Sequence, residues 1–228
     1  MAAALEAIFG PRVSNEELAK HRARYLAPAY ILTAARILLL ISIFLPYWHM
    51  ELQAPQYPDG LNVTAYVNRL TGDIKEIDGL NHYIGMRPLE DAAKLERMLS
   101  ITALISLVLL VEGALYVHSR WALLLTLPSI LFPPIFLLDL YLWLNYFGQN
   151  LDPTAPLSNA IEPFTPPVLG TGVIGQFETH ASAGLGLWFA AIASVLTIVG
   201  LFFHRRAFKP LYDAARATAR SASDPAEA

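Results

Sequence analysis

Two imidazoles and two thioethers, His49, Met50, His82 and Met86, fall in the stretch 49–98. Every methionine other than the initiator, Met50, Met86 and Met98, lies there, outside the apolar interiors where methionine is ordinary filler. Imidazole and thioether donors together suit copper, above all Cu(I), on the oxidising side of a membrane where thiols are vulnerable. His180, farther along the chain, is a further candidate ligand. The chain has no cysteine, which excludes disulfides, thiolate metal sites and c-type haem attachment. The same residues have plainer roles: His49 as an interfacial polar group, His82 bonded within a loop, Met50 and Met86 packing a sheet on helices. No ligand spacing in the stretch is diagnostic, so both readings stand.

The elements that must position these groups are set by composition. Of 228 residues, 55% are hydrophobic, and mean hydropathy is +0.42. That excess is gathered into four long runs, 29–48, 99–118, 121–147 and 184–204, each near or above the roughly 20 residues that span a bilayer. The expected fold is therefore an all-α integral membrane protein, four transmembrane helices carrying a small β-containing periplasmic cap. Trp48, Trp121, Trp143 and Trp188 fall towards the ends of the runs, as an interfacial belt would.

Arg12, Lys20, Arg22 and Arg24 precede the first run, Arg120 sits between the second and third, and Arg205, Arg206 and Lys209 follow the fourth. The positive-inside rule then places the amphipathic segment 1–28 and the tail 205–228 in the cytoplasm of a bacterium, beneath its inner membrane. Loop 49–98, with eight acids against five bases, and loop 148–183, with Asp152, Glu162 and Glu178 and no base, are expected in the periplasm. No cleavable leader is expected, the first run acting as its own insertion signal. Ser14 followed by Glu17 reads as a capping box, and the final residues as a frayed tail.

Within 49–98, Leu61, Val63, Ala65 and Val67 alternate with Asn62, Thr64, Tyr66 and Asn68, which is strand periodicity. Thr71-Gly72-Asp73 reads as a turn and Ile74–Ile77 as a returning strand. If the segment from Leu80 to Met86 is helical, His82 and Met86 share a face. Pro128, Pro133 and Pro134 predict a bent third span, and Gly186, Ala190 and Ser194 a close-packing face on the fourth.

Arg36 and Glu112 each lie about twelve residues from the outer ends of their spans, roughly 18 Å down at helical rise. Charges at such depth pair or line a cavity, so an Arg36–Glu112 structural ion pair is expected, with a snorkelling Arg36 and a protonated Glu112 as the alternative. Asp139 lies nearer the outer face, where it could bind a loop donor, a proton or a metal. His118 and His204 close spans two and four, positions that favour a helix C-terminal dipole over haem ligation. Gly170-Thr171-Gly172-Val173-Ile174-Gly175 matches a dinucleotide pattern by letter but has no strand–helix context and is rejected. Asn62-Val63-Thr64 is a glycosylation sequon only in a eukaryotic secretory setting. No nucleophile–base–orienter set stands out, so the chain does not read as an enzyme, and no nucleic-acid partner is indicated.

Pro46-Tyr47-Trp48, Glu51–Leu61 with its Ala-Pro-Gln-Tyr-Pro-Asp-Gly-Leu, Leu80-Asn81-His82-Tyr83-Ile84-Gly85-Met86 and Phe164–Thr171 resemble motifs of a family of small bacterial four-helix membrane proteins. Its genes lie beside those of respiratory copper enzymes, nitrous oxide reductase and haem-copper oxidases among them. The resemblance implies an accessory or maturation role for such an enzyme, with copper as cofactor and His82 and Met86 weighing more than His49 and Met50. The other expectation is a metal-free accessory subunit of a larger respiratory or photosynthetic membrane complex. Either way the partners are membrane lipid and a membrane or periplasmic protein.

Overall fold

In the computed structural model, which describes Phe9 and residues 13–223, helices alternate with an antiparallel sheet. A short helix α1 (Asn15–Lys20) is capped by Ser14, whose hydroxyl accepts from the Glu17 amide at 3.2 Å. Four helices are long and apolar enough to cross a membrane: α2 (Arg22–Ser42), α4 (Lys94–Tyr116), α5 (Trp121–Gln149) and α6 (Leu185–Ser223). α5 is continuous through Pro128, Pro133 and Pro134. α2 ends six residues before Trp48, which starts a strand, and α6 continues past the apolar run as far as Ser223. The final residues expected to fray lie mostly outside the described part.

The strands are β1 (Trp48–Ala54), β2 (Tyr57–Ala65), β3 (Leu70–Gly72), β4 (Gly170–Ile174) and β5 (Phe177–Ala183), in spatial order β3-β2-β1-β5-β4. β1 is central: Leu52 faces Leu61 on one side and Thr179 on the other. The alternation read in β2 holds, with Leu61, Val63, Ala65 and Val67 all buried. The returning strand expected at Ile74–Ile77 does not form. Ile74–Ile84 is helix α3, whose buried face is Ile77, Asn81 and Ile84, because apolar groups three and four apart complete a helical stripe. β3 takes the place on the sheet edge. There Gly72 is required, since at φ 108° a Cβ would lie 2.0 Å from the Asn62 carbonyl oxygen.

By backbone contacts the chain forms two compact units. The first comprises the described part of residues up to Leu40, with 105–132 and from 191 on. In it, Arg36 forms an ion pair with Glu112, and Tyr116 donates to Glu112 at 3.0 Å. A Cβ on Gly200 would come 2.6 Å from Leu32, which is fully buried, so α2 and α6 pack closely there. Ser194 donates to the Ile130 carbonyl at 2.7 Å. The second unit comprises 41–104 and 133–190 and contains the whole sheet. Trp48, Leu52, Leu61, Val63, Ala65, Ile77, Leu144 and Ala181 form its core, each large apolar group contributing about 1.5–3 kcal/mol. Tyr47 is fully buried, bonded to Ser42 at 2.8 Å and packed at a tilt of 55° against Phe136, and Gly186 leaves room for its ring.

Removing one partner of the Arg36–Glu112 pair strands a charge at mid-helix. Arg36→Met alone should therefore cost about 3 kcal/mol, whereas Arg36→Met with Glu112→Leu should approach wild type. Thermal unfolding in detergent reads the difference, and equal loss in both variants would contradict it. Asp78 on α3 accepts the Leu89 amide at 2.8 Å. Burial lifts its pKa above the ordinary carboxylate value against that bond's lowering effect, and the charges of Glu90 and Asp91 add to the rise. A raised carboxyl pKa means that the fold holds the proton more tightly, so this contribution is lost as pH rises through the folded pKa. Asp78→Asn should flatten that decline in a pH series of unfolding midpoints.

Candidate functional site

Strand alternation decides which candidate ligands can meet. On β1, His49 and Glu51 face one side of the sheet and Met50 and Leu52 the other. The polar face is built across four strands. His49 pairs with Thr64 of β2 and Ser182 of β5, Glu51 with Asn62 and His180, and His180 in turn with Thr171 of β4. His49, Glu51, Asn62, Thr171, His180 and Ser182 border a depression of about 280 Å³, with Met50 also on its edge. His49 Nδ1 lies 3.0 Å from Thr64 Oγ1, and His180 Nδ1 lies 3.1 Å from Thr171 Oγ1. The arrangement repeats on neighbouring strands: an imidazole fixed at Nδ1 by a cross-strand threonine, with Nε2 directed elsewhere. His180 Nε2 is 3.6 Å from Glu178. His49 and His180 are diagonal neighbours, within reach of long side chains on one sheet face.

The opposite face closes over a smaller, apolar cavity of about 60 Å³. Met50 and Met86 both line it, with Leu52, Ile84, Leu144 and Phe177 among its walls. Asn81 also lines it, 7% exposed, and its Nδ2 has no hydrogen-bond partner. α3 ends at Ile84 with Gly85 left-handed at φ 81°, so Met86 lies beyond the helix and the shared face with His82 is not formed. Met86 is buried beside Ile84 and Phe147, while His82 is exposed. Thus His49 and His180 share one site, Met50 and Met86 another, and His82 belongs to neither. Among the described residues, no group of three or more His, Asp or Glu side chains is placed to hold a metal ion.

The sequence missed Thr64 and Thr171 as positioning groups, and it missed Glu51. Thr64 is set against His49 by the β1–β2 register and Thr171 against His180 by the β4–β5 hairpin, while Glu51 is set beside His180 by the pairing of β1 with β5, which joins residues over 120 positions apart. Asp139 on α5 accepts a hydrogen bond from Trp143. In the first unit, His118 and His204 lie 5.4 Å apart between ring centroids, packed on Phe208. His204 is within α6 rather than at its C-terminus, so the dipole role expected for it fails. The glycine-rich segment 170–175 is β4 and the turn into β5, a hairpin. Comparisons of the chain with protein-family models, curated proteins and solved structures give no match.

A buried amide without a partner costs about 1–3 kcal/mol, which an apolar group of like shape avoids. Asn81→Leu should raise the unfolding midpoint of the ligand-free protein. A clear fall would show that the amide is bonded in solution.

Proposed function

We propose that this chain is a membrane-anchored accessory protein that presents copper, or receives it, on the polar face of its sheet, in support of a respiratory copper enzyme. The observation that carries the reading is the paired His49–Thr64 and His180–Thr171 arrangement on one face. An imidazole that donates Nδ1–H to a fixed oxygen keeps its Nε2 lone pair for a metal, and such outer hydrogen bonds set the tautomer and ring orientation of ligating histidines. Two imidazoles favour Cu(II), whereas the thioethers of Met50 and Met86 would favour Cu(I); the Glu51 carboxylate accepts from Gln53 and is not counted as a ligand. Met50 borders both the polar depression and the apolar cavity, but strand alternation turns its side chain to the apolar face, and Met86 lines the apolar cavity, so the imidazoles and not the thioethers are the proposed ligands on the polar face. Two protein imidazoles leave coordination positions open, which suits delivery to a partner better than storage. In this reading the sheet lies on the periplasmic side of a bacterial inner membrane and both termini in the cytoplasm, supported by the positions of the lysines and arginines.

The test is metal content and Cu(II) electron paramagnetic resonance of purified protein titrated with copper. Wild type should bind one Cu(II) with nitrogen hyperfine structure. His49→Ala with His180→Ala should lower affinity at least tenfold, while His82→Ala with Met86→Leu should leave it unchanged. Loss only in the second pair would move the site to His82 and Met86. No stoichiometric binding in wild type would leave a metal-free accessory subunit as the reading.

A further inference from the structure

At the end of the first unit opposite Arg36 and Glu112 along α2, the start of that helix meets the middle of α6. Ala23, Arg24 and Ala27 face Phe203, Arg206 and Ala207 across a cleft of about 480 Å³. Three alanines make its walls low, and two guanidinium groups border it. Arg24 Nη2 donates to the main-chain carbonyl of Arg206 at 3.0 Å, which holds its guanidinium on α6, and among the described residues no salt bridge is formed by either arginine. Two cations bordering one cleft make an anion the complementary ligand.

The surrounding sequence carries the same sign. Residues 18–30 hold Lys20, Arg22 and Arg24, residues 202–212 hold Arg205, Arg206 and Lys209, and neither segment contains an acid. One turn inward the surface changes character: Tyr30 is 70% exposed, Phe202 61% and Phe203 38%. A ligand seated here meets cations at one end and an aromatic and aliphatic surface at the other. That is the profile of a phospholipid at the edge of a hydrophobic span, not of a free inorganic anion.

We infer that this cleft binds an anionic phospholipid, its phosphate held between Arg24 and Arg206 and an acyl chain descending past Ala27, Phe203 and Tyr30. The bidentate fork of arginine suits phosphate oxygens, and two forks on adjacent helices fix the headgroup where a lone surface lysine would not. Such a lipid would tie α2 to α6. It acts on the first unit and is independent of the metal reading above.

The full-length protein in detergent, exchanged with phosphatidylglycerol or phosphatidylcholine, gives the test by native mass spectrometry and unfolding midpoint. Phosphatidylglycerol should be retained at least tenfold better and raise the midpoint, with inorganic phosphate giving no comparable shift. Arg24→Gln with Arg206→Gln should abolish the preference. Ala27→Phe, which keeps both charges but fills the cleft, should abolish it too, so that loss is not ascribed to misfolding of the charge variant alone. Equal retention of both lipids, a matching effect of inorganic phosphate, or a preference that survives Ala27→Phe would overturn the assignment.

Discussion

The antiparallel pairing of β1 with β2 on one side and β5 on the other is the constraint on which the rest of the sheet-bearing unit depends. It welds two loops far apart in sequence into one sheet of five strands. The Trp48 indole reinforces the join by donating to the Val168 carbonyl at 2.6 Å, ahead of β4. A strand with partners on both sides has no free backbone edge, so its register is tied to the burial of Leu52, Leu61 and Ala181. A one-residue slip would carry Leu52 out to solvent and turn His49 into the core, which burial forbids.

That fixed register is also why donor chemistry is partitioned. His49 and Met50 are adjacent in sequence and opposed in space. The imidazole side of the sheet carries Thr64 and Thr171, whose hydroxyls orient the rings, with Asn62 and Ser182 beside them. The thioether side is lined by leucine, isoleucine and phenylalanine, which lower the local dielectric and exclude water. A metal that needs both donor types cannot find them on this strand without breaking it.

Much of the helical framework was legible in the sequence because helices long and apolar enough to cross a membrane leave long, uninterrupted apolar runs, and the β2 face was legible because its alternation involves large aliphatic residues. Helix ends were less so: the first run continues through Pro46, Tyr47 and Trp48, whose apolar character serves the sheet and not the span. β5 escaped because its inward residues, Thr179 and Ala181, are small or polar and give no hydrophobic alternation. Ile74–Ile77 reads as a returning strand because a turn signal precedes it, although Ile74, Ile77, Asn81 and Ile84 recur every three to four residues as a helix face does. The candidate site was legible as residue types but not as an arrangement, since His180 reaches Glu51 only through strand pairing.

The arginines of the long helices illustrate one electrostatic rule at two depths. Arg36 lies where α2 is flanked by leucine and isoleucine, and its side chain is 18% exposed. At that depth a cation without a fixed counter-charge would pay a desolvation cost of several kcal/mol, so the chain supplies Glu112 and a Thr33 hydroxyl at 2.5 Å. Arg24 lies three turns earlier, at the margin of the apolar run, where its side chain is exposed. There the chain supplies only a carbonyl. The counter-charge is encoded where solvent cannot provide it and left to the surroundings where it can. By this rule the position of an arginine along the helix, more than its identity, determines whether its partner is found in the sequence.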